Sequence, residues 1–370
     1  MESLRFAGNL LFFHFCFMQI KSMDGVLRSD NQLIENSSTT LMGKEFTEQT
    51  DWSPMVVLIA VLLGILITLT TAGNLVVCRL VWVCRRMQIP SLYFVASMSF
   101  SDFLMGLLVM PISLAYHINY QTTGRWIFGH FMCNLWLFLN FVLCSASIYN
   151  LCVVSGDRYL AVTSPLKYLS RMNDRRVKQI IGVSWLCAFV LAGFVTYGTN
   201  ASKENGVNCS VWGLRYEYSV VVLIVGYILP VFFLVFVNGK VFVIAHSHMN
   251  RIHAQEMASV SAFTIDRPSQ GSTSKTVQRS RLRREIKIFK TFVVVTCTFL
   301  LSWTPFVAIL LIDSIWTVPE LLRHSSIILL YCNSALNPFI YGFYNAEFRK
   351  LLAESIRCKC ATPVRKILPS

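Results

Sequence analysis

The sequence predicts an all-α membrane protein: a bundle of seven spanning helices followed by a short amphipathic helix on the cytoplasmic side. Three observations carry that expectation. The 370 residues are 54% hydrophobic and only 14% charged, and a mean hydropathy of +0.54 is too high for a soluble chain of this length. The apolar residues come in blocks long enough to cross a bilayer rather than spread along the chain. The net charge of +14 sits in short loops between those blocks, where positive-inside sorting explains it without nucleic acid.

Residues 1–53 read as an extracellular segment, mixed and polar, with one apolar run from Leu10 to Ile20. That run has the length of a signal-peptide core, but Arg5 is its only upstream charge and no clear cleavage site follows. A cleaved signal and an untranslated start ahead of Met23 both stay open. Asn36 opens a glycosylation sequon, meaningful if this end faces out.

The membrane domain spans residues 54–344. Met55 to Val83 is the first helix, with Asn74 polar at mid-depth and Arg79 able to snorkel; Arg85 and Arg86 follow. Leu92 to His117 is the second, carrying Asp102 and a kink at Pro111. An acid inside a membrane helix is read first as a functional site and second as a tolerated polar residue. Trp126, in the next loop, suits an interfacial belt. Phe131 to Val162 is the third helix. It is apolar from Phe138 to Val154, then turns abruptly to Gly156-Asp157-Arg158-Tyr159. An Arg there either reaches lipid headgroups or serves as a switch that exchanges acidic partners.

Basic residues from Lys167 to Lys178 precede the fourth helix, Ile180 to Tyr197. The loop after it holds sequons at Asn200 and Asn208. Val220 to Ala245 is the fifth helix, interrupted by Pro230. Residues 246–284 form a polar third inner loop, read as flexible in its middle and helical at its ends. Ile286 to Ile312, kinked at Pro305, and His324 to Tyr344 complete the seven. Residues 345–370 hold an amphipathic stretch too short to span, which should lie along the membrane surface, and a short tail with palmitoylation candidates Cys358 and Cys360.

Lys and Arg crowd the loops after helices one, three and five and the C-terminus, but not those after two, four and six. The N-terminus is therefore expected outside and the C-terminus inside. All three sequons then fall on the outer side. So do Cys133 and Cys209, which could bridge in an oxidising space or remain two free thiols. The other cysteines have no metal-site spacing and lie mostly in apolar blocks.

Together these residues resemble the rhodopsin-like, class A family of G-protein-coupled receptors. The resemblance covers roughly Pro54 to Cys360. It rests on Gly73-Asn74, Ser101-Asp102-Phe103-Leu104, Cys133, Asp157-Arg158-Tyr159, Trp185, Pro230, Trp303-Thr304-Pro305-Phe306 and Asn337-Pro338-Phe339-Ile340-Tyr341, each in order and on its expected helix. The resemblance implies roles. Arg158 would pair with Asp157 and with Glu285 at the inner start of helix six. Asp102, Ser147, Trp303, Asn333 and Ser334 would form an allosteric sodium pocket, with no other cofactor required. Ile148, Pro230 and Phe299 would repack when helix six swings, and Tyr341 would support the open state. Asn238 stands where most of the family has a second tyrosine. The third and fourth histamine-receptor subtypes look similar there and share a run like Ala146-Ser147-Ile148-Tyr149-Asn150.

Other details lean to the aminergic branch: Ser101 to Gly106 with Met110-Pro111, Trp126 to Gly129, and Tyr331 before Asn333-Ser334. In that branch a helix-three aspartate holds the ligand's ammonium; the matching position is Asn140. An amide would forfeit about 2–4 kcal/mol with an ordinary amine. The expected walls are Phe141, Cys144, Val222, Leu223, Gly226, Trp303, Phe306, Val307, Leu310, Ile327 and Tyr331. His117, Arg323 and His324 near the mouth could admit an anionic group, with surface solvation as the first reading. No lysine occupies the retinal position among Ile328 to Tyr331.

The function that follows is a plasma-membrane receptor. It passes binding of a non-standard amine or a neutral small molecule to a heterotrimeric G protein, with Pro165 and Leu166 on the G-protein rim and membrane lipid as its other partner. A signalling-silent scavenger or heteromerisation partner is the alternative, kept alive by Asn140 and Asn238. A transporter fits less well, because no internal repeat appears and Asp102 is the only clear mid-membrane acid. No nucleophile–base pair, phosphate loop or metal set points to an enzyme.

Overall fold

Proline decides where the spanning helices bend. Inside a helix it has no N–H to donate, and its ring collides with the carbonyl four residues back. The computed structural model describes residues 54–83, 90–123, 126–164, 167–168, 172–198, 209, 212, 215–262, 272–344 and 346–356. Every element among the described residues is helical. Helix α1 is Pro54–Val83. Helix α2 runs as Pro90–Leu104, widens into a π-helical turn at Met105–Val109, and continues as Met110–Thr123. Helix α3 is Gly129–Thr163 and α4 is Asp174–Gly198. Helix α5 runs as Tyr216–Val221, a π-helical Val222–Ile228 and then Leu229–Ala262. Helices α6, α7 and α8 are Ser272–Asp313, Glu320–Tyr344 and Ala346–Ile356.

The two π turns sit immediately before prolines. Ahead of Pro111 the Met110 N–H reaches back to the Met105 carbonyl, and ahead of Pro230 the Leu229 N–H reaches the Ile224 carbonyl. Each widened turn inserts a residue where the proline would otherwise clash. Trp136 on α3 donates its indole N–H to the Val109 carbonyl at 3.2 Å, so the disturbed ladder of α2 gains a partner. Pro305 and Pro338 lie within the continuous helices α6 and α7.

Seven helices are long and apolar enough to cross a membrane. The most apolar window of α3 is 67% buried, against 22% for α1 and 28% for α4 and for α5. Helix α3 is therefore the axis, packed against α2, α4, α5 and α6, while α1 closes the ring against α2 and α7. Large apolar side chains such as Ile65, Leu186, Val190, Phe232 and Phe236 point outward, as lipid requires.

Packing between apolar helices in lipid gains little from the hydrophobic effect, so polar links and close approaches fix the register. Asn74 donates to the carbonyls of Thr70 and of Ser334, both at 3.0 Å. Trp185 donates to Ser97 Oγ at 3.0 Å, joining α4 to α2. Cys133 and Cys209 form a disulfide, Cα–Cα 5.7 Å, which ties the start of α3 to the segment after α4. At the other end of the bundle Arg349 of α8 donates to the carbonyls of Gly342 at 3.2 Å and Phe343 at 2.6 Å. Those are terminal carbonyls of α7 that would otherwise lack partners. Phe348 is buried beside Tyr341.

Helices run further than the apolar blocks suggested. Helix α2 begins at Pro90, and α5, to Ala262, and α6, from Ser272, extend into the two ends of the polar third inner loop. Backbone hydrogen bonding continues through polar turns that hydropathy alone ends. Residues 263–271 lie outside the described residues, as do Asn36, Asn200, Asn208, Pro165, Leu166, Cys358 and Cys360.

Two glycines mark where helices touch. A Cβ on Gly73 would lie 3.0 Å from the Pro338 ring, and one on Gly106 would lie 2.7 Å from Thr71 Oγ1 and 3.0 Å from its backbone nitrogen. Gly64 has nothing within 4 Å of the same point. Gly106→Ala should therefore lower the melting temperature of the purified protein, by an overpacking cost of about 1–3 kcal/mol. Gly64→Ala should hold or raise it, since alanine favours the helix by about 1 kcal/mol.

Candidate functional site

The polar residues of the bundle gather at three depths along α3. At the first, near its C-terminal end, Arg158 donates Nη2 to Asp157 Oδ2 at 2.6 Å and Nε to the same oxygen at 3.2 Å. Only 6% of the Arg158 side chain and 1% of the Asp157 side chain is exposed. The second carboxylate oxygen accepts a hydrogen bond from the Tyr168 hydroxyl at 2.6 Å, and Ser91 Oγ lies 3.0 Å from that hydroxyl. Burial first, and then the Asp157 charge, push the Tyr168 phenol far above its ordinary range. It stays protonated and donates. Breaking a buried pair of this kind costs about 3–5 kcal/mol when one partner is removed. Tyr159 packs with Val162, Val241 and Phe289, where α3, α5 and α6 meet. Asn238 donates to Thr296 Oγ1 at 3.1 Å, a second tie between α5 and α6. Glu285 falls within α6, and its side chain lies outside the described residues.

At mid-depth Asp102 is 1% exposed. Its Oδ1 accepts hydrogen bonds from Ser147 at 3.1 Å and Ser334 at 2.8 Å, and its Oδ2 accepts one from Asn337 at 2.7 Å. Asn333 is buried nearby on α7, with its Oδ1 lacking a hydrogen-bond partner. Trp303, which the family pattern also put in this set, is not among the side chains bonded to Asp102. It stacks on Phe299, with ring centroids 5.2 Å apart. Ile148 and Phe299 share one buried core, and the Pro230 carbonyl accepts from Cys152 Sγ at 3.8 Å. Gly73 abuts the Pro338 ring. The Tyr341 hydroxyl is buried without a hydrogen-bond partner.

At the disulfide end a cleft of about 860 Å³, counting its open mouth, enters the bundle. It is lined by Asn140, Phe141 and Cys144 of α3, Val222 and Gly226 of α5, Trp303 and Phe306 of α6, and Ile327 and Tyr331 of α7. Trp303 lies edge-on to Phe306, and Trp212, beyond the disulfide, packs on Phe306 at 5.7 Å. Asn140 Nδ2 is 3.5 Å from the Tyr331 hydroxyl, and Cys144 Sγ is 3.6 Å from Asn140 Oδ1. Tyr331 also engages Ser113. No aspartate or glutamate is among the lining residues.

Leu223, Val307 and Leu310 do not line this cleft. Val307 and Leu310 are 2% exposed within the hydrophobic core, and Leu223 packs against that core. Neighbours on a helix point about 100° apart, so Phe306 facing the cleft turns Val307 away. The π turn of α5 shifts the phase further, which apolar spacing does not reveal.

The sequence also left out Ser113, Tyr116, His117, Trp136, Ser145, Leu191, Trp212, His324 and Leu330. The histidines correct an expectation. His117 is 6% and His324 9% exposed, so neither is a solvated surface residue. Their rings meet edge to face at 4.3 Å. Arg323 is engaged as well, 2.5 Å from Asp313 Oδ1 and over the Trp212 ring.

The sequence matches the family described as "7 transmembrane receptor (rhodopsin family)" over residues 73–341. Similar curated proteins include the 5-hydroxytryptamine receptor 1B of Vulpes vulpes, 29% identical over 354 residues, with 84% of this chain and 88% of that one covered. The Homo sapiens 5-hydroxytryptamine receptor 1B is 28% identical over 354 residues, covering 84% and 88%. The histamine H2 receptor of Canis lupus familiaris is 31% identical over 322 residues, covering 84% and 83%. With the seven spanning helices, the family match makes this chain a multi-pass membrane protein. The chain belongs to the rhodopsin family of seven-transmembrane receptors, as an aminergic-like G-protein-coupled receptor and not an enzyme.

Proposed function

We propose that this receptor binds an extracellular small molecule in the cleft and passes the event to a heterotrimeric G protein at the plasma membrane, with its N-terminus outside. The ligand is a non-standard amine or a neutral molecule, not an ordinary amine. The observation that carries this reading is the cleft's composition: Asn140 meets Tyr331 where an ammonium partner would be needed, and no carboxylate lines the walls. An ammonium ion taken from water into such a site would face dipoles alone, which is costly.

Signal transfer is a shift between two arrangements of one bundle. Trp303 and Phe299 stack beneath the cleft, so a ligand pressing on Trp303 bears on the α6 core. At the opposite end Arg158 leaves its closed-state partners, and α6 moves away to admit the G protein. Glu285 is the second acid that Arg158 would exchange with. A sodium ion fits the mid-depth site as a brake. Asp102 supplies one carboxylate, and Ser147, Ser334 and the unpartnered Asn333 carbonyl supply neutral oxygens, a donor set suited to a hard monovalent cation. Its charge would be matched by Asp102 in the closed bundle. A signalling-silent partner receptor is the second reading, favoured by the Asn238–Thr296 tie that holds α5 to α6.

Asn140→Asp should raise the potency of serotonin or histamine in nucleotide exchange by about two decades; no gain would mean a site rebuilt for other chemistry. In sodium-free buffer, added sodium should lower basal exchange, and Asp102→Asn should remove that response. Tyr168→Phe and Glu285→Ala should each raise basal exchange about fivefold. Basal exchange that stays at the native level in well-expressed variants removes the closed-state restraint, and no exchange under any condition favours the silent receptor.

A further inference from the structure

We propose that the cleft takes an aromatic organic acid whose carboxylate is held by His117 and His324. This departs from the proposed function on the ligand's charge, an anion in place of an amine or a neutral molecule, and rests on that reading only for the cleft being the ligand site. The two imidazoles come from different helices, α2 and α7, and both line the cleft. They face each other at 4.3 Å, and His324 Nδ1 has no hydrogen-bond partner although it is buried. A buried, unpartnered ring nitrogen facing a second imidazole is costly unless something binds it. Tyr116 packs on His117 at 6.0 Å.

The surrounding charges decide the sign of the missing group. Asp313 is already matched by Arg323 and by the Val318 N–H. Glu320, one turn before His324 on α7, is exposed. No carboxylate lines the cleft, and Asn140, Ser113 and Tyr331 are neutral. Protonated, the two histidines would put positive charge into a cavity whose lining holds no acid, with Glu320 acting on His324 only from the exposed side of α7. A carboxylate supplies the match through charge-assisted hydrogen bonds. Trp212 and Phe306, packed on each other with ring centroids 5.7 Å apart, add aromatic surface to the cleft wall for the body of the molecule.

Binding an anion favours the protonated imidazole, so acid binding takes up protons. Its affinity should therefore be high at low pH and fall as pH rises through the histidine range. The probes are indole-3-acetate, indole-3-acetamide and tryptamine, one ring system with an anionic, a neutral and a cationic side chain. They are titrated against the full-length receptor in lipid nanodiscs. The acid should bind best, and weaken about tenfold from about pH 6 to about pH 8 while the amide stays level. His117→Gln and His324→Gln should each cost the acid about tenfold and leave the amide unchanged. If either variant fails to fold, the pH series on the native receptor decides. Tightest binding by tryptamine or by the amide, acid binding that ignores pH, or no binding of any probe at millimolar concentration overturns the proposal. Probe-free nucleotide exchange on an added G protein, in the same particles, tests the receptor reading separately. Exchange with no acid preference sinks the acid site alone, and acid binding without exchange sinks the receptor reading alone.

Discussion

A carboxylate carried into the apolar middle of a helix bundle has to be met by donors. Asp102 draws them from α3 through Ser147 and from two positions on α7 through Ser334 and Asn337. Those bonds set the depth at which three helices stand relative to one another. Asn74 extends the setting to α1 through the Ser334 carbonyl. Apolar contact alone would leave that register weak, because lipid tails compete with leucine on equal terms. Glycines at the touching faces of α1 and α2 then let the backbones approach once the register is fixed.

The same α7 residues connect the other two centres. Tyr331 lies three residues before Ser334 and faces the cleft, so the helix that answers Asp102 also carries part of the cleft wall. In the other direction Pro338 rests on Gly73, and Tyr341 carries its hydroxyl into the core unpartnered. Buried polar atoms without partners are rare in a settled core and mark places where a second arrangement, an ion or a water completes the bonding. Three of those among the described residues lie along the second half of α7, at Asn333, Asn337 and Tyr341. The closed end is better satisfied: Asp157 is met on both oxygens by Arg158 and Tyr168. A bundle tied firmly at Arg158 on α3 and loosely along α7 suits the two arrangements of the proposed function.

Much of this was readable in the chain. Seven spans follow from apolar length, and the motif residues fall where the three polar centres form, because buried polar groups leave a strong mark in an apolar background. The π turns before Pro111 and Pro230 left no such mark, since hydropathy does not register one inserted residue. That insertion puts Leu223, and the 100° step between helical neighbours puts Val307, in the core rather than the cleft; Leu310, one turn on from Phe306 along the same side of α6, is buried outside the cleft's lining. The histidines were misjudged for a different reason. Near the end of a span, a polar ring is ordinarily wet. His117 packs on Tyr116, whose ring meets Trp126 and Trp136 from other elements, and on His324 of α7, and Trp212 joins the cleft wall from a segment that the Cys133–Cys209 bridge holds in place. Nonlocal covering of that kind is invisible along one helix.

The cleft therefore keeps the aromatic floor expected of an amine receptor while its charge differs. Shape and charge are separable here because they come from different residues. Trp303, Phe306 and Trp212 form the walls whatever stands at position 140. Position 140 carries a neutral amide, and no acid is among the lining residues. Taking an ammonium into a neutral, water-poor cleft loses its hydration and gains only dipoles. A flat ring still gains the same apolar contact with the aromatic walls. Under the proposed function, discrimination would rest on the ligand's charge more than on its outline, because aromatic walls suit many rings and the polar groups suit few ions.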